Sequence, residues 1–527
     1  MFLRKATGLV REISPLDAFN INMTNANVWA NIAILLPLGL VLFAGANLWL
    51  SVLLGSIGGM FVVMAYVLMS QAMPRSGGDY VFISRAIHPA IGFVATFTMM
   101  MLTAFFAAYN CFSLGNWLLP DLFGPLGAMT HDRALVNFAE WVAGRGPTIG
   151  LLVLSVLLLW FIFSRGVRFA ARTQWISVFF IVLASVIGIP LLATTSPSSY
   201  LANFNTFAAY FHTSAAAMEH TAQIGGVNPH PAFSWGATIG FWPWVMVIWG
   251  YAVNSIMVGG EVRNPRRSQA YAVVIATLAS AGILIAFFVL ALRGIPQALL
   301  SSFGYFIYVN PAANPMPFTL YAHVPLALAT NSPVVLGFFS GGVSFGLWLA
   351  SIGLWLWGTR YMFAWAMDRV APPQIAKLST RGGAGNVPVY ALAVMGILTL
   401  MFGLLLVYVP NFSYVTGSLL QACVFLLGCV AAIVLPYRLR KIYSSSIKSE
   451  ILGVPVVSIF GAVGAVFLGV MVYYFVTNSA FGAVTGSAAL FSVVVIAVGI
   501  VYYIAAVIIN RRAGRDLRLT YREIPPE

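Results

Sequence analysis

Asn20, Asn22, Thr24, Asn25, Asn27 and Asn31 crowd one stretch of an otherwise apolar sequence. Asn20, Thr24, Asn27 and Asn31 recur at i, i+4, i+7 and i+11, which places them on one helical stripe, and Asn22 and Asn25 widen it. The chemistry such a stripe offers is hydrogen bonding. Amides facing lipid would be unsatisfied, so this face meets protein, water or a solute. The two readings are a solute site and glue between helices.

A second stretch, Phe241 to Asn254, holds Pro243 and then Gly250 between Trp249 and Tyr251, with Asn254 and Ser255 beyond. Pro243 removes a helical hydrogen bond and Gly250 is a weak point. A helix interrupted there frees backbone groups that can hold a solute; the alternative is a kinked helix in an aromatic cluster. A third stretch sets Ser340, Ser344, Trp348, Ser351 and Trp355 at helical spacing, thinned by Gly341, Gly342, Gly346 and Gly353. Small residues let helices approach closely, so tight packing is the stronger reading there.

These stretches need a frame. The chain has 527 residues, of which 60% are hydrophobic and 8% charged, against about 25% charged in a soluble domain. A water-soluble protein could not hide so much apolar surface, so its solvent is lipid. Twelve runs are long enough to cross a bilayer: 19–44, 47–70, 90–116, 149–164, 174–195, 236–259, 270–292, 333–358, 388–409, 413–436, 454–477 and 486–509. They are numbered below as spans 1 to 12. With alternating loops, all but three of the 27 Lys and Arg fall on one side; Arg133, Arg145 and Arg293 are the exceptions. This positive-inside bias puts both termini in the cytoplasm. It also turns the net charge of +14 into topology anchoring and removes nucleic acid as a partner. The expected partners are a small solute and the bilayer. No cleavable leader is expected at 1–18, and the long outside loops 117–148, 196–235 and 293–332 are expected to form connectors or short surface helices. Cys111, Cys423 and Cys429 are too scattered for a disulfide framework or metal cluster.

The polar first span and the interrupted sixth lie five spans apart, the pattern of a transporter built from inverted repeats. That divides the chain into a cytoplasmic N-terminus 1–18, a first repeat 19–195, a loop 196–235, a second repeat 236–437, two further helices in 438–509, and a cytoplasmic tail 510–527.

Four stretches at the cytoplasmic ends of the spans carry a resemblance. They are Gly8-Leu-Val-Arg-Glu-Ile-Ser-Pro-Leu-Asp17-Ala; Pro74-Arg-Ser-Gly-Gly-Asp-Tyr-Val-Phe-Ile-Ser-Arg85 with His88-Pro-Ala-Ile-Gly-Phe93; Gly259-Gly-Glu-Val-Arg-Asn-Pro-Arg-Arg267; and Thr359 to Pro372 with Asn386-Val-Pro388. In order and position they resemble the amino acid–polyamine–organocation (APC) superfamily of permeases. The resemblance implies an all-α membrane protein of the leucine-transporter type, with five-plus-five inverted repeats and two extra helices. Relatives carry Gly-Ser-Gly at the break in the first span, where this register places Val28-Trp29-Ala30. Span 5 also lacks the Lys that some relatives use in coupling. Local physics accounts for part of these motifs: Pro265 is expected to end span 6, with Arg263, Arg266 and Arg267 at its negative end.

The function expected is secondary transport of amino acids, related amines or other small organic solutes across the plasma membrane by alternating access. The candidate solute contacts are Asn25, Asn27 and Trp29 on span 1, Phe106 and Asn110 on span 3, Trp249, Gly250, Tyr251 and Asn254 on span 6, and Ser344 on span 8. No cofactor is expected; the coupling ion is H+ or Na+, with a sodium site near Asn22 and Ser351 as one option. Asp17, Asp79, Glu261 and Asp368, with Arg4, Lys5, Arg11, Arg85, Arg263 and Arg369 on the same side, form a candidate cytoplasmic gate of weak, partly shielded ion pairs. A haem or hydrolytic enzyme would want His or acids at span centres; the six His lie in loops or at helix ends, so no enzyme is expected. A channel or non-transporting sensor on the same fold is the alternative.

Overall fold

The computed structural model describes residues 9, 11–379, 387–409, 412, 417–444, 449–484, 486–517 and 521. Eleven of its helices are long and apolar enough to cross a membrane. Each matches one expected span, from Pro15–Leu42 to Gly486–Arg512. The remaining one, span 6, is broken into Trp235–Gly240, Trp242–Trp249 and Asn254–Met257, followed by a 3-10 turn at Gly259–Glu261. The fold is therefore all-α, apart from a small hairpin of Glu450–Ile451 with Val454–Pro455. Leu157, Val186, Val466, Val501 and Ile509 stand exposed on outer helix faces, where lipid tails would cover them.

Local chemistry sets the boundaries. Span 1 starts at Pro15 because Ser14 caps it: the Asp17 N–H donates to Ser14 Oγ at 3.1 Å, and Ser14 Oγ donates to Asp17 Oδ2 at 2.7 Å. Span 8 runs 35 residues, Pro333–Met367, well past the expected end at 358. Arg360 stays inside the helix because its guanidinium has a buried carboxylate partner. Pro265 corrects another expectation: it opens span 7 at the first helical position, behind Asn264 at φ 47°, and does not end span 6. The loops expected to lie outside fold into short helices, among them Pro120–Thr130, Arg133–Val142, Pro197–Ala209 and Ala215–Ile224. The lower half of span 1 packs against Pro265–Gly294 and Pro333–Met367, and span 3 packs along span 8.

Candidate functional site

Span 1 breaks at Asn27, whose backbone is left-handed (φ 42°, ψ 58°), so Pro15–Ala26 and Val28–Leu42 are separate helices. Asn tolerates this conformation better than most residues, which is why the break falls one residue before the expected Val28-Trp29-Ala30. Asn27 Oδ1 accepts the Ala30 N–H at 3.4 Å and caps the second half. The Asn31 amide donates to the Ala26 carbonyl at 2.6 Å, a group the break would otherwise leave open. The stripe then divides. Asn20 donates to Ala171 O at 2.7 Å and Thr24 to Gln174 O at 3.2 Å, so these two tie span 1 to the start of span 5.

Three glycines of span 8 make room for span 1. A Cβ on Gly342 would meet the Trp29 ring at 3.3 Å, one on Gly346 the Asn27 Oδ1 at 2.6 Å, and one on Gly353 would run into the Asn25 amide. Close packing and site construction are thus the same event. Trp29 itself is a packing residue: its indole N–H donates to Ile181 O at 3.2 Å, and its ring lies against Phe287 and Phe339. Asn25 donates to Ile21 O at 2.7 Å, while its Oδ1 is buried without a partner among the described residues.

The two breaks are tied to each other. Asn22 Oδ1 accepts the Ser255 N–H at 2.8 Å, and Asn22 Nδ2 donates to Ser255 Oγ at 3.0 Å. This commits the Asn22 side chain to span 6, whereas Ser351 lies beside Cys111 of span 3. Next to Ser255, Asn254 is fully buried, and both atoms of its amide lack a partner among the described residues. Gly250 sits against span 10: a Cβ there would lie 2.7 Å from Met246 O and 3.1 Å from the Phe425 ring. Trp249 points to spans 2 and 11, on Gly59 and near Phe467. Tyr251 turns the other way, edge-on to Phe106 (5.9 Å) and Trp357 (6.2 Å), with Gln421 of span 10 beside its hydroxyl. Asn110 is buried one turn beyond Phe106, and the Ser344 hydroxyl is buried without a partner among the described residues. Trp357 and Gln421 were not anticipated, although a Gln inside the apolar run Leu419–Val424 was a usable signal.

At the basic end the bundle is knit shut. Ile13 pairs with Val262 in strand fashion: the Ile13 N–H donates to Glu261 O at 3.0 Å and the Arg263 N–H to Ile13 O at 2.9 Å. The Gly77 N–H reaches Met257 O at 2.9 Å. Two two-pronged ion pairs join the elements, Arg85–Asp368 and Arg360–Glu261, each 2.6 Å at the shortest. Their side chains are at most 4% exposed, which corrects the expectation of weak, partly shielded pairs. Arg360, read only as a topology anchor, is the partner of Glu261. Asp17 serves as a helix cap with a long contact to Trp175, and Arg263 donates to Arg11 O. Arg4 and Lys5 lie outside the described residues. Asp79 is different again. It accepts from the Tyr361 hydroxyl, which takes the Trp357 indole N–H, and its Oδ2 has no partner among the described residues. Burial pushes its carboxyl up to about 7, against the smaller opposing effects of hydrogen bonds from Tyr361 and from the backbone N–H groups of Asp79 and Tyr80.

Comparison with known proteins adds two findings. A sequence model of the family described as "Amino acid permease" matches residues 26–501. The chain is also 27% identical over 365 residues to the branched-chain amino acid permease BcaP of Lactococcus lactis subsp. cremoris (strain MG1363), covering 67% of this chain and 68% of the relative.

Proposed function

Because the chain belongs to the amino acid permease family, we propose that it carries amino acids across the plasma membrane by alternating access, binding them where the breaks of spans 1 and 6 meet. The observation that carries this reading is Asn254. A fully buried primary amide with neither atom paired is costly, and natural proteins keep such groups for a reason. A solute that pairs with this amide supplies the missing bonds. The amino acid carboxylate faces the start of the half-helix Val28–Leu42, where Asn27 Oδ1 takes the Ala30 N–H and the dipole favours an anion. Asn25 Oδ1 and Asn254 Oδ1 accept from the ammonium. Phe106, Tyr251 and Trp357 are in ring contact and form the surface against which an apolar side chain would rest, and the name of the Lactococcus relative makes branched-chain amino acids the first substrates to test.

The broken span 6 completes twelve crossings, with 19–195 and 236–437 as repeats that rock about this site and both termini in the cytoplasm. The test is ligand stabilisation of the purified protein. Leucine, isoleucine or valine at about 100 times its Kd raises stability by about 2.7 kcal/mol. A panel of all common amino acids that leaves the unfolding midpoint unmoved defeats the proposal.

A further inference from the structure

Asp79 lies on the seam between halves of the molecule that the proposed cycle must separate. It belongs to the short helix Gly78–Ala86, between spans 2 and 3. Its cover comes from elsewhere: Tyr361 of span 8 bonds one carboxylate oxygen, and Met257 of span 6 lies on Gly78. Among the described residues the ion pairs are Arg85–Asp368 and Arg360–Glu261, and neither reaches Asp79. The other groups around it are Tyr66 from span 2 and the backbone N–H groups of Asp79 and Tyr80 on its own helix. Asp79 is thus a buried acid beside Tyr66 and Tyr361, with hydroxyl and backbone N–H donors, an unpartnered oxygen and no salt bridge among the described residues.

We propose that Asp79 is the proton-binding group of the gate at this end: it takes up one proton when the gate closes and releases it to water when the gate opens. A carboxylate closed into this site has no counter-cation, whereas the neutral acid needs none. Opening draws Tyr361 and Met257 away and wets the carboxyl. The direction follows from the two states. In the closed state burial holds the carboxyl at about 7; in the open, wetted state it returns to the ordinary range near 4. Below about pH 4 it is neutral in both states, so closure bears no charge cost. As pH rises through about 7 the closed state must bury the charge, so closure weakens. The Trp357 indole, hydrogen-bonded to Tyr361 and edge-on to Tyr251, links this group to the solute site. The proposal uses the alternating-access reading only to say what opening means.

The test is amide hydrogen exchange of the full chain in lipid nanodiscs without solute, corrected for intrinsic rates, over peptides holding Ile13, Gly77 and Arg263. Their N–H groups form the closing bonds. Protection is expected to be roughly tenfold to a hundredfold higher at about pH 5 than at about pH 8. Asp79→Asn, which keeps an acceptor for Tyr361, is expected to abolish that dependence. Tyr361→Phe removes a donor from the charged form and is expected to move the midpoint to higher pH, which decides the matter if Asp79→Asn does not fold. A flat wild-type profile, a slope that survives in Asp79→Asn, or an unmoved midpoint in Tyr361→Phe overturns the proposal. Flat exchange with intact solute uptake removes the proton link alone; pH-dependent exchange without uptake removes the transport reading alone.

Discussion

Asn254 of span 6 and Trp29 of span 1 show how differently polar-capable residues beside the two helix breaks can be used. Trp29 spends its N–H on Ile181 O and is core; Asn254 spends neither of its amide atoms. If Asn254 is kept for solute, its replacement by a similarly shaped apolar residue separates stability from binding. Asn254→Leu is expected to raise the stability of the solute-free protein by about 1–3 kcal/mol, the cost of an unmet buried polar group. The same change removes most of the solute-induced shift, so thermal unfolding with and without leucine reads both effects. A variant that is destabilised and still binds would make Asn254 a structural residue. The sequence marked Asn254 as polar but not as unpaired, because pairing depends on what spans 1, 7 and 8, packed against its helix, bring to it.

At the scale of elements, two buried ion pairs hold the short helix Gly78–Ala86, the end of span 6 and span 8 together at the basic end. Removing one partner of such a pair leaves an uncompensated charge, at about 3–5 kcal/mol. Glu261→Gln is expected to destabilise by that amount, and adding Arg360→Met is expected to recover a large part of it. Chemical unfolding of the single and double variants measures the difference; full additivity would contradict the pairing. Much of this end was legible as motifs. Gly259-Gly-Glu-Val-Arg and Thr359-Arg-Tyr stood out by resemblance, and Ser14 with Asp17 reads as a capping box. The pairing was not legible. Nothing in the spacing of Glu261 and Arg360, 99 residues apart, distinguishes a buried partner from a topology anchor. Pro265 was misplaced for a related reason: a proline serves equally after one helix or at the first position of the next.

For the whole molecule, composition and hydropathy made the fold class and almost every span readable, because lipid leaves few ways to satisfy a backbone. Span 6 was legible as an interrupted helix with Gly250 as its weak point, and it divides there, through the turn ending at Val253. Its tie to the break at Asn27 through the Asn22–Ser255 bonds was not legible, because it joins residues far apart in the chain. The central claim is that two broken spans hold an amino acid in transit, and uptake into sealed liposomes containing the purified protein tests it most directly. Radiolabelled leucine is expected to enter saturably, at equal rates with and without a sodium gradient, and Gly250→Leu is expected to abolish entry by driving a side chain into Met246 and Phe425. Uptake no greater than in protein-free liposomes, from a protein that still binds leucine, would contradict the account and leave a solute sensor in its place.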